Sequence, residues 1–213
     1  MISTLLAAVV AGHIGCAGGN RILSYGDSKT LVTGLGPGTN LDAWQMHLTK
    51  LVGNPCRIFD VGTPISNGAL ARGSNTAAQM KALVDADLAT IGATPTYILM
   101  NLGSVELALG MPVEAQFETD YGYILDAFHT KWPNVKVYCH RPWYANHEVD
   151  SNLIAGYIAV VLSTRGSFAY VGPDERVWAK GSDNGATMTS DGLHYSYAGA
   201  IEAAAQWRSV LGL

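Results

Sequence analysis

The 213-residue sequence predicts an α/β protein: a three-layer α/β/α sandwich on a parallel, five-stranded sheet. Short apolar runs alternate with amphipathic stretches along the chain, and strands alternating with helices are joined by crossovers that make them parallel. The apolar runs are nearly continuous, as in strands covered on both faces. The length suits a single domain that buries a full core without staples.

Each element follows from local pattern. Residues 21–25 (RILSY) read as the first strand. Residues 40–52 place Leu41, Trp44, Leu48 and Leu51 at helical spacing. Residues 56–61 (CRIFDV) read as the second strand. Residues 74–91 form a helix with Ala77, Met80, Leu83, Val84 and Leu88 on one face, capped by Ser74 or Asn75. Residues 96–102 give the third strand. A helix over 113–132 carries Phe117, Tyr121, Ile124, Leu125 and Phe128 and is stopped by Pro133. A strand over 135–139, a helix over 150–164, a strand over 168–171 and a helix over 196–211 complete the series.

Two parts are distinguished: an apolar, Gly-rich segment over residues 1–20 and the domain proper over 21–213. The first segment resembles the apolar part of a signal peptide, but no Lys or Arg precedes Arg21. His13 occupies the place where a lipobox needs a bulky apolar residue before Cys16. The segment reads as a structured leader or a packing or oligomer segment, and it is too short to span a membrane, as is every other apolar run.

Charged residues make up 14% of the chain, the net charge is −4, and the 13 basic residues are scattered. Nucleic acid as main partner is disfavoured, because phosphate binding needs clustered positive charge. Low charge leans towards an extracellular or particle-associated setting; the oligomeric state is open. Cys16, Cys56 and Cys139 fit no CxxC or zinc spacing and read as small buried apolar residues. His47 and His129 lie within helical patterns and read as exposed or capped. No motif calls for a metal or cofactor.

In a sheet of this kind the site lies beyond the carboxyl ends of the strands. Gly26-Asp27-Ser28 follows the first strand directly; alone, it is equally an ordinary turn. Asp191-Gly192-Leu193-His194 precedes the last helix. An Asp three residues before a His can accept from one imidazole nitrogen and leave the other free to take a serine proton; alone, this too reads as a surface turn.

Together, at opposite ends of a compatible strand–helix order, the two motifs resemble the first and last blocks of the SGNH/GDSL hydrolases, with Gly199 in the final helix. The resemblance covers residues 21–213. It implies a flavodoxin-like sheet and ester hydrolysis through an acyl-serine, without a cofactor. Carried over, Ser28 is the nucleophile, His194 the base and then acid, and Asp191 its orienter.

The middle blocks depart from the family. Its third block, Gly-x-Asn-Asp, supplies an Asn side chain to the oxyanion; here the run is Gly103-Ser104-Val105-Glu106, and Val105 has no donor. The glycine of the second block falls on Ile65, or on Gly68 with a shift. Losing one oxyanion donor costs about 10²–10³ in kcat, against about 10⁶ for the nucleophile. The reading is therefore an enzyme with a depleted or rebuilt oxyanion hole, made by the Ser28 and Ile65 or Gly68 backbone, with Asn67 the foremost substitute donor and Ser104 and Asn101 further candidates. Asp27, Arg141, Trp143 and Tyr144 are candidate substrate contacts, the last three in a strand-end loop whose aromatics could stack on a sugar; that loop is equally a packed turn held by Pro142. The substrate class is a short-chain carboxylic ester, including O-acetyl groups on carbohydrate. The rival reading is a non-catalytic carbohydrate-binding or particle-associated module on the same fold. A nucleotide or flavin binder is disfavoured, because no phosphate-cradling loop follows the first strand.

Overall fold

The computed structural model describes residues 21–30, 43–52 and 69–213. One sheet of five parallel strands runs in the order β2-β1-β3-β4-β5, with β1 at Ile22–Gly26, β2 at Ala69–Ala71, β3 at Tyr97–Asn101, β4 at Lys136–Arg141 and β5 at Ala169–Asp174. The helices are α1 (Trp44–Val52), α2 (Ala77–Ala89), α3 (Ser104–Leu109), α4 (Glu114–Lys131), α5 (Glu148–Ser163), α6 (Glu175–Trp178) and α7 (Tyr197–Leu211). The predicted α/β/α architecture holds, with element ends moved by a few residues.

Successive strand residues point to opposite faces, and the core divides accordingly. Leu23 and Tyr25 of β1, Ile98 and Met100 of β3, and Val137 and Cys139 of β4 pack with α2, α4 and α5. Ile22, Leu99 and Tyr138 face the other way, onto α1 and α7, where Trp44 and Trp207 stack at 5.7 Å. The near-continuous apolar runs are thus the signature of a sheet covered on both faces.

The strand expected over 56–61 lies outside the described residues, as do residues 1–20, Cys16 and Cys56; among the described residues β1 pairs with Ala69–Ala71 on one side and with β3 on the other. Other expectations need correction. The cap of α2 is Thr76, not Ser74 or Asn75. Ser74 holds a left-handed backbone, φ 64°, and turns the chain first. Thr76 then accepts from the Gln79 N–H while Gln79 returns a bond to the Thr76 N–H, a capping box. His47 is buried rather than exposed, its ring edge-on to Tyr197 at 5.4 Å. His129 stacks on Phe168. Cys139 is fully buried, and burial pushes its thiol up to about 12. Helices α3 and α6 were not expected; each is short and follows a strand end. No helix among the described residues is long and apolar enough to cross a membrane.

Glu106 on α3 is a buried carboxyl that serves as an acceptor. Its Oε1 accepts the N–H of Ala77, the first residue of α2, at 2.6 Å. Burial nonetheless outweighs that bond and lifts the carboxyl from 4.5 to about 7. A carboxyl raised in the folded state contributes stability at acid pH that is lost as pH rises through the folded value. Between pH 4.5 and 7 that loss amounts to roughly 3 kcal/mol. Glu106→Gln keeps an acceptor for Ala77 and cannot ionise, so the variant is expected to gain on the wild type as pH rises from 5 to 8. Urea midpoints at both pH values check this; parallel pH dependences would refute it.

Candidate active site

The turn after β1, which carries Ser28, is built by close approach. A Cβ on Gly26 would lie 2.1 Å from the Asn101 carbonyl oxygen and 2.4 Å from Thr30 Oγ1, so only glycine lets β1 end this near β3. Asp27 follows, fully buried. Its Oδ1 accepts the Lys29 N–H at 3.1 Å and its Oδ2 the Ser104 N–H at 3.0 Å. The turn is thereby tied to the start of α3, and burial raises the Asp27 carboxyl above its usual value. Asp27 is a brace for the turn and not the substrate contact that its place beside Ser28 suggested.

The opposite wall comes from the chain's end. Ser196 caps α7 by accepting from Gly199 N–H, and a Cβ on Gly199 would sit 1.9 Å from the Met188 carbonyl oxygen, which presses the loop onto the helix. Within that loop Thr189 pairs with Tyr195, and Ser190 N–H donates to the His194 carbonyl at 2.8 Å. Asp191 Oδ1 accepts the N–H groups of Leu193 and His194 at 3.0 and 2.7 Å, and its Oδ2 lies 2.7 Å from His194 Nδ1. Burial opposes ionisation of Asp191, but the ring and backbone bonds from His194, with that from Leu193, hold its carboxyl below the usual range. With Nδ1–H given to Asp191, Nε2 is left as acceptor, and it lies 2.9 Å from Ser28 Oγ. The two motifs, 166 residues apart, meet in one hydrogen-bonded line from Asp191 through His194 to Ser28.

A cavity of about 310 Å³ opens beside this line. Val105, Ala108 and Leu109 of α3, with Leu193, give it an apolar wall; Gly73 and Ser74 close the side nearest β2. Val105 is 4% exposed and is part of that wall. Of the other oxyanion candidates, Ile65, Asn67 and Gly68 lie outside the described residues. Ser104 and Asn101 are fully buried and do not line the cavity. The Gly73–Ser74 turn was missed. Its signal is the Gly73-Ser74-Asn75 run just before the Thr76 cap, in which Ser74 or Asn75 was expected as the cap itself.

Of the two readings of the segment ending β4, Trp143 follows the packed one. Arg141 faces Asp174 at 3.4 Å. Trp143 is 1% exposed, and a Cβ at Gly185 would meet its ring at 2.5 Å, so it is packing and has no free face for a sugar. Tyr144 stacks on His147 at 4.5 Å and borders a second, polar cleft of about 490 Å³ with Asn146, Asp183 and Asn184. Asp191 lines both spaces. Among the described residues no group of three His, Cys, Asp or Glu side chains is arranged to hold a metal ion.

No family model matches the sequence, and no curated protein does either. Solved structures do. A Clostridium thermocellum family 3 carbohydrate esterase is similar at 21% identity over 89% of this chain and 94% of its own, TM-score 0.68. A member of the lipolytic G-D-S-L family from Veillonella parvula is similar at 11% identity, covering 90% of this chain and 98% of its own, TM-score 0.65. The protein TesA is similar at 16% identity over 90% of this chain and 98% of its own, TM-score 0.70.

Proposed function

We propose that this chain, which has the fold of the SGNH/GDSL hydrolases, is a serine esterase that hydrolyses short-chain carboxylic esters. The observation that carries the reading is the Asp191–His194–Ser28 line, with 2.7 Å and 2.9 Å between successive members. Ser28 Oγ attacks the ester carbonyl as His194 Nε2 takes its proton, and Asp191 stabilises the imidazolium. Collapse of the tetrahedral intermediate expels the alcohol, which takes the proton back. Water, deprotonated by His194, then releases the acid from acyl-Ser28. The apolar cavity wall under Val105 and Leu193 suits the acyl chain. The polar cleft across Asp191 suits the alcohol, and its polar lining supports a carbohydrate O-acyl group as substrate.

The oxyanion is met, in this reading, by main-chain N–H groups of Ser28 and of the Gly73–Ser74 turn, which stands on the cavity wall in a left-handed backbone at Ser74. A side-chain donor at position 105 is missing. Val105→Asn is therefore expected to raise kcat, by up to about 10²-fold if its amide reaches the oxyanion, with KM little changed. Steady-state p-nitrophenyl acetate kinetics measure this; an unchanged or lower kcat would show that the hole needs no third donor. Val105 is also the observation favouring the rival reading, a binding module with no turnover. Labelling by a fluorophosphonate probe separates the two: a covalent adduct on Ser28 supports the esterase, and failure to label supports the module.

A further inference from the structure

Behind the triad lies a buried polar cluster that the hydrolytic steps do not use. Lys29, the residue after the nucleophile, and Tyr195, the residue after the base, both reach the carboxylate of Glu175 on α6. The Lys29 ammonium pairs with Glu175 Oε2, and the Tyr195 hydroxyl donates to Oε1. Side chains of Lys29 and Glu175 are 1% and 0% exposed, and Tyr195 is buried. His140 Nε2 stands 3.0 Å from Oε1, and the Trp143 N–H donates to Oε2 at 2.8 Å. Lys29 also donates to the Trp143 carbonyl at 2.9 Å, and its ammonium lies 5.5 Å from the Tyr195 ring centre. Burial opposes the Glu175 charge, but Lys29 and His140 outweigh it and hold the carboxyl down at about 2.

A buried ion pair is weak evidence for stability, since apolar residues of the same volume often hold a core as well. Ser28 and His194 come from elements far apart in sequence, and their hydrogen bond tolerates little displacement. We propose that Glu175 is a positioning residue that sets the register of Ser28 against His194, by holding the neighbour of each on one carboxylate. The inference rests on the esterase reading.

The test compares wild type with Tyr195→Phe and with the double variant Lys29→Met/Glu175→Gln, which removes the Lys29 and Glu175 charges together and leaves His140 an amide to face. Thermal midpoints, kcat and KM for p-nitrophenyl acetate, and fluorophosphonate titration of reactive serines are measured on each. Expected is a ten- to hundredfold fall in kcat per titrated site for the double variant and a smaller fall for Tyr195→Phe, with KM within about twofold. A merely structural role would lower the thermal midpoint or the number of titrated sites while kcat per site stayed at the wild-type value; that result overturns the proposal. If the double variant does not fold, Tyr195→Phe, which deletes one oxygen and keeps the ion pair, decides by the same ratio. A wild type that neither labels nor turns over removes the esterase reading and this inference with it. An active wild type with unchanged variants removes only the role of Glu175.

Discussion

Ser28→Ala is expected to lower kcat for p-nitrophenyl acetate by about 10⁶-fold, to the background set by binding and the oxyanion donors alone. The substitution removes one oxygen from a residue whose neighbours do the structural work: Gly26 packs on β3, Asp27 ties the turn to α3, and Lys29 is anchored on Glu175. The fold should therefore survive, and an unchanged thermal midpoint would show it. Rates on acetate, butyrate and octanoate esters, run beside wild type, check the claim and the acyl preference together. Turnover in the variant comparable with wild type would mean that the nucleophile is another group. A wild-type rate that rises with chain length would contradict the short-chain assignment.

Asp191→Asn should cost about 10⁴ in kcat. The carboxamide oxygen can still accept the Leu193 and His194 N–H groups, so the turn is retained. What changes is the bond to Nδ1. An amide NH₂ facing that nitrogen turns it into an acceptor and moves the imidazole proton to Nε2, the atom that must receive the proton of Ser28. The loss should fall on kcat and on the rate of fluorophosphonate labelling alike, since both begin with the same proton transfer. A loss below tenfold would show that the tautomer of His194 is set by something other than Asp191.

Much of this architecture was legible because it rests on periodic signals. Strands such as residues 96–102 are apolar on both faces, and helices such as 113–132 repeat at 3.6, so burial leaves its mark on the sequence directly. The Asp191–His194 spacing is likewise local, since one turn brings the two side chains together. Other features depend on partners distant in sequence. Glu175 and Lys29 look like surface charges until they are found facing each other, 146 residues apart. Asp27 reads as a site residue by adjacency, but its oxygens are consumed by Lys29 and Ser104 N–H groups. Trp143 looks like a stacking platform, yet the glycine at 185 lets it be buried. Ser74 was expected as a helix cap because it is a good cap by type, and only its positive φ reveals that it bends the chain ahead of the true cap.

The line from Ser28 to His194 spans nearly the whole domain, and α1 packs with α7 on one side of the sheet in the same way. On the esterase reading, the triad therefore has no half-made form. Ser28 and His194 meet only when residues 21–30 and the 188–211 segment are both in place. If the chain is the esterase proposed above, peeling α7 from the sheet would separate His194 from Ser28 while most of the remaining structure stood, so loss of activity on gentle heating should precede loss of helical signal.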